Sequence, residues 1–213
     1  MVPEAAHHLR LPLSTVRSWV AGRPYETSSG SKRFQPLIEL PDRRQGLLSF
    51  RNLVELHVLS AIRRKHKVRL LEVRRAIAYL RQRLGVDHPL ADQQMATDGR
   101  DLFVERYGKL INASQEGQVA MKAVLADYLE RIERDASGLA IRLYPFSGRP
   151  AARAIALDPR VKFGRPCLAG TGIATDVIVE RFDAGDTIAQ IAKDYRRPAG
   201  DIEEAIRFEK AAA

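Results

Sequence analysis

One cysteine, Cys167, stands in 213 residues. It excludes an internal disulfide framework and a zinc site built from several cysteines. No apolar run approaches the length that crosses a bilayer. No charged-then-apolar segment opens the chain in the manner of a secretory signal. We therefore expect a cytoplasmic protein with no membrane association. Clustered ligands are missing too: His7, His8, His57, His66 and His88 form no HExxH or comparable pattern. His7 and His8 adjoin and read as a surface pair. Cys167 has no local histidine to activate it. Gly170-Thr171-Gly172 lacks the lysine of a phosphate-binding loop, and Asp158 before Pro159 opens a turn. No metal, cofactor or catalytic residue is expected, and the chain does not read as an enzyme.

What the chain does have is positive charge, unevenly placed. The net charge is +9. Residues 1–85 hold 17 Lys and Arg against 6 Asp and Glu; the remainder holds 18 against 20. A basic module joined to a near-neutral one points to a polyanion partner for the first, with nucleic acid the leading class.

Within the basic part, Leu11 to Arg23 reads as a short helix. Pro12 suits its entry, Ser14 or Thr15 can cap it, and Gly22 can end it. Val16, Trp19 and Val20 fall on one face by helical spacing. Ser14, Thr15, Arg17 and Ser18 fall on the other, with Arg23 at the exit. A helical turn or two over Pro3–Leu9 precedes it, giving helix–turn–helix spacing. Between Arg23 and Asp42, Tyr25 and Thr27 and then Phe34, Leu37 and Ile38 flank a Ser/Gly turn. This predicts a β-hairpin, a wing, whose tip carries Lys32 and Arg33.

Ser49 is placed to cap the next helix, which ends in the basic run at 63–67. A further helix follows with Leu70, Val73, Ile77, Leu80 and Leu84 along one seam, free to pack within the chain or on a second subunit. Thr97 to Arg100 reads as a turn, and Leu102–Val104 and Lys109–Asn112 as two strands of a small sheet. A helix is expected over Gln118–Arg134, a strand with Leu139, Ile141 and Leu143 on one face, and another at Ile155 and Leu157 after the Gly148/Pro150 turn. Three short helices close the chain: Asp176–Ala184, one starting at Thr187, and one introduced by Pro198 and Asp201. Thr187/Gln190 and Asp201/Glu204 both have capping-box spacing. The expected fold is mainly α with small β elements, an α+β chain. It divides into a winged helix–turn–helix (1–88), a central α/β segment (89–152) and a C-terminal trihelical domain (153–213).

Residues 4–84 resemble the MerR-type winged helix. The likeness rests on Glu4-Ala5-Ala6, on Ser14-Thr15-Val16-Arg17-Ser18-Trp19, on the wing, and on Leu48-Ser49-Phe50-Arg51-Asn52-Leu53. Residues 153–209 resemble a small family of uncharacterised function often found in bacterial antitoxins. There the likeness rests on Ile155 to Pro159, on Gly164-Arg165-Pro166-Cys167 through Ile173, and on Ile188 to Tyr195. Gly172 stands where that family usually has Arg. The combination resembles a VapB-type antitoxin. This implies operator DNA and a PIN-like ribonuclease toxin as partners, autorepression of the operon, and a homodimer reading paired half-sites. On this expectation Ser14, Thr15, Arg17 and Ser18 face the groove, Arg23 the phosphates, and Lys32 and Arg33 the backbone from the wing. Two other readings share the sequence. One is a MerR-like regulator without a toxin. The other is a toxin-binding module whose basic end prefers no duplex sequence.

Overall fold

A computed structural model describes residues 1–28, 30–65, 70–146 and 153–211, side chains excepted at 27 and 63–65. The basic run at 63–67 and the Gly148/Pro150 turn lie outside the described residues or side chains. The architecture is α+β: among the described residues, helices accompany three two-stranded antiparallel sheets.

The chain opens with α1 (Val2–His8) and α2 (Leu13–Ala21). Leu9 and Leu11 are buried between them, and Arg10 turns the chain with φ 52°. β1 (Arg23–Thr27) and β2 (Gly30–Phe34) form the expected hairpin. Ser49 caps α3 (Phe50–Lys65): its hydroxyl accepts from Asn52 N at 3.1 Å, and Asn52 Oδ1 accepts from Ser49 N at 3.1 Å. This helix is central. Every side chain from Val54 to Ile62 is buried, including Glu55, His57 and Ser60. α4 (Leu70–Leu84) buries Val73, Ala76, Ile77 and Leu80 and packs against α5 (Asp98–Ile111), within the same chain.

α5 replaces the two strands expected between 102 and 112. Phe103, Val104, Tyr107 and Gly108 are its buried face, a helical spacing. Thr97 to Arg100, expected as a turn, opens this helix, with Thr97 as its N-cap. α6 (Gln115–Leu129) is capped by Ser114 and stops five residues before the expected end. Ile132 already belongs to β3 (Ile132–Arg134), which pairs with β4 (Ala140–Leu143). A register shift at Glu133/Arg134 changes which residues face inward: Ala140 and Leu143 are buried, while Leu139 is exposed.

β5 (Ile155–Ala156) pairs with β6 (Cys167–Leu168), and α7 (Thr175–Asp183), α8 (Ile188–Tyr195) and α9 (Ala199–Lys210) follow. The Thr187/Gln190 capping box is present. The second is not. Pro198 is the N-cap of α9, Asp201 accepts from Arg197 Nη2 at 2.7 Å, and buried Glu204 pairs with Arg207.

Two apolar cores result. One runs from Ala5 to Leu157, drawing on α1 to α6 and on the β3–β4 pair. The other joins Ile155, Leu168, Ile178, Ile191, Ile202 and Phe208. Leu157, two residues after Ile155 of the second core, belongs to the first: Leu143 and Leu157 exchange backbone hydrogen bonds of 2.9 and 2.8 Å. Beside that bridge, Arg142 joins Glu133 at 2.8 Å to buried Asp158 at 3.1 Å. A second seam runs through α1. His7 and His8 are not a bare surface pair, because both rings pack on Phe208 of α9. His7 Nε2 lies 3.0 Å from Glu209, and Arg10 donates to the Arg207 carbonyl at 3.3 Å. Burial, with the neighbouring charge of His7, lowers the His8 pKa to about 4.

Candidate nucleic-acid interface

The α2 helix sorts its residues by turn. Thr15, Val16, Trp19 and Val20 are buried, Ser14 and Arg17 are exposed, and Ser18 is partly exposed. Thr15 therefore faces the core, not the outer face expected of it. Its N-cap is Pro12, which brings no capping oxygen, so Ser14 and Thr15 lie inside the helix as its second and third residues. The Thr15 and Val16 N–H groups both donate to the Pro12 carbonyl, at 2.9 and 3.2 Å, at a helix end that carries partial positive charge.

The other end of α2 is fastened to the wing. Leu37 N and Ile38 N both donate to the Trp19 carbonyl, at 2.7 and 3.2 Å. Gly22 has φ +72°, and a Cβ there would sit 2.0 Å from the Phe34 carbonyl oxygen. Only glycine allows strand β2 to lie so close to the helix exit. Arg33 Nη2 donates to the Ala21 carbonyl at 2.9 Å, closing the same junction.

The hairpin register pairs Tyr25 with Lys32 and Pro24 with Arg33. Lys32 and Arg33 are thus strand residues along the wing, not its tip. As neighbours on a strand they point to opposite faces. Lys32 shares its face with Arg23, Tyr25 and Phe34; Tyr25 stacks on Phe34 at 4.1 Å, and the Arg23 guanidinium lies 5.5 Å from the Phe34 ring. Arg33 lies on the other face, toward α2.

That second face closes a cleft of about 550 Å³ lined by Arg17, Arg33 and Arg43, with Gln45 beside them and Val2, Val20 and Leu40 among its apolar walls. Arg43 was not singled out in the sequence. It sits in a turn held by the Asp42 carboxylate, which accepts from Arg44 N and Gln45 N at 2.8 and 2.9 Å. The Asp42-x-x-Gln45 Asx-turn spacing was the available signal. Arg17 and Arg33 are brought together with Arg43, whereas Arg23 and Lys32 lie on the far side of the wing. Ser14 and Ser18 flank Arg17 on the exposed side of α2.

The comparisons with known proteins bear first on the other end of the chain. Residues 155–208 match the family model described as "Protein of unknown function (DUF433)". The chain carries a DUF433 domain. It is also 28% identical over 223 residues to "Putative antitoxin VapB45" of Mycobacterium tuberculosis (strain ATCC 25618 / H37Rv), covering 95% of this chain and 90% of that protein. It is 27% identical to "Uncharacterized protein Rv2308" of the same strain, covering 94% and 85%. Among solved structures, the X-ray crystal structure of Rv2018 from Mycobacterium tuberculosis matches with a TM-score of 0.69 at 22% identity, over 97% of this chain and 96% of that one. This shows that the fold of the whole chain, not only of the DUF433 domain, recurs. Among the described residues no helix is long and apolar enough to cross a membrane.

Proposed function

We propose that this chain is the antitoxin of a toxin–antitoxin pair and represses its own operon through the α2 and wing face. The observation that carries the reading is the cleft at which Arg17, Arg33 and Arg43 converge. It belongs to the segment that holds the net positive charge, in a chain whose near-full-length relative is named an antitoxin. In a MerR-like mode, α2 enters the major groove. Arg17 reads a base edge, Ser14 and Ser18 reach phosphate oxygens, and Arg33 and Arg43 hold the backbone on one side of the wing. Arg23 and Lys32 serve a phosphate run on its other side. Thr15, Val16 and Trp19 hold the helix in place. A homodimer presents two such faces to a symmetric operator. The DUF433 domain binds the toxin, a PIN-like ribonuclease, and cytoplasmic DNA and toxin are both within reach.

The test is fluorescence anisotropy with a duplex from upstream of the gene. Arg17→Ala weakens binding by about 10-fold or more and relaxes base preference, as expected for loss of one bidentate base contact. Unchanged affinity and preference in Arg17→Ala removes α2 from the groove.

A further inference from the structure

The DUF433 domain carries a large aromatic side chain that its own fold does not use. Phe163 is fully exposed, at 101% of its reference area. It sits at the third position of a turn closed by Gly164 N donating to the Val161 carbonyl at 3.0 Å. Both central residues of that turn have positive φ, 47° for Lys162 and 57° for Phe163. Turns of this kind normally take Asn and Gly at those positions, because a Cβ is unfavourable there. The sequence thus places a lysine and a large aromatic where neither is conformationally welcome, and leaves the aromatic in water.

The turn is nevertheless firmly based. Before it, buried Asp158 accepts from Arg160 N and Nε at 2.9 Å, from Arg160 Nη2 at 2.7 Å and from Arg142 Nη2 at 3.1 Å. After it, the carbonyl of buried Pro166 accepts from Thr175 N at 3.0 Å, and Arg165 pairs with Asp176. A strained, solvent-exposed aromatic on a rigid base is the form of an anchor that recovers its cost on binding. Its rim is cationic. Arg160, Lys162 and Arg165 flank it, and residues 159–175 contain no Asp or Glu.

We infer that the Phe163 turn is the anchor by which the DUF433 domain grips its partner protein, inserting the ring into an apolar pocket with an acidic rim. This rests on the antitoxin reading, which supplies the partner. A protein pocket fits better than a single-stranded nucleic acid. Among the described residues the site has one ring with no second aromatic stacked beside it, and two of its three cations are already paired with carboxylates, whereas stacking platforms use successive rings along a free basic groove.

The experiment uses the full chain and the protein encoded by the adjoining gene, with binding followed by biolayer interferometry. Phe163→Asn is the informative variant, because Asn tolerates the left-handed conformation. It weakens binding by about 30-fold or more, the loss typical of a central aromatic anchor, while its melting temperature equals or exceeds that of the parent. Val119→Asn, at another exposed apolar position on α6, binds within twofold of the parent. Lys162→Glu slows association and reverses its salt dependence. The inference is overturned if Phe163→Asn binds as the parent does, or if it melts lower, which makes the ring a structural element. It is also overturned if the parent binds an oligouridine that Phe163→Asn does not. If the parent itself forms no complex with the adjoining gene's product, the toxin-partner reading fails and takes the anchor with it.

Discussion

Ser14 and Thr15 are neighbours with the same chemistry and opposite fates. One turn of α2 puts Ser14 outside and Thr15 against Val16 and Trp19. Helical spacing alone separated the apolar residues correctly, but a threonine fits either side of such a boundary, and only the width of the buried stripe decides it. Gly22 is the residue on which the site's geometry depends most. Substituting alanine asks for a Cβ 2.0 Å from the Phe34 carbonyl at a backbone angle alanine disfavours. Gly22→Ala is expected to cost about 2 kcal/mol or more of folding free energy in a urea titration. It should also loosen the wing, so that duplex affinity falls although no DNA-facing side chain has changed. Retention of full stability would show that β2 does not lie against the helix exit.

At the scale of elements, helix α2, the β1–β2 hairpin and the closing helices were legible because they carry their own punctuation: Pro12 and Gly22, the Ser/Gly turn, Thr187 with Gln190. α5 was not. Leu102-Phe103-Val104 is a short apolar run that fits a strand as well as a helix. Gly99, which signals a turn, is in fact buried where a Cβ would come within 2.8 Å of the Gln94 carbonyl. It serves close packing within a helix, a role invisible without the neighbour it approaches. The cleft at Arg17, Arg33 and Arg43 was half legible for a similar reason, since Lys32 and Arg33 lie within a strand and not at its turn, and neighbours on a strand point to opposite faces. The α1–α9 contact could not be read at all, because it joins residues some 200 positions apart. It carries a pH signature. His8 faces Phe208 and has His7, Glu209, Glu4 and the amino terminus as charged neighbours. Its pKa of about 4 lies below the ordinary histidine value, so the folded chain holds His8 neutral while the unfolded chain protonates it near pH 6.5. Stability is therefore fully present above about pH 6.5 and is lost as pH falls toward 4, by on the order of 1 kcal/mol after allowance for partial exposure. Urea titrations at pH 7 and pH 5 should show that slope in the parent and a flatter one in His8→Gln. Equal slopes would place His8 in water.

At the scale of the whole molecule, two cores, a basic end and a DUF433 domain are joined by the Leu143–Leu157 bridge and by α1, the helix that also supports α2. The charge asymmetry matches this division. The arginines of the proposed DNA face lie in the half that holds the excess, and the Phe163 anchor with its own small basic rim lies at the other end. The proposed DNA face and the proposed anchor draw on different residues of one chain, the division that the antitoxin proposal needs. The claim stands or falls on whether the α2 and wing face reads sequence. The direct measurement is competition between the upstream duplex and random duplex of equal length, for the full chain at one fixed salt concentration. If the face reads sequence, the upstream duplex is preferred by about 1,000-fold or more; a ratio near unity would mean that it does not.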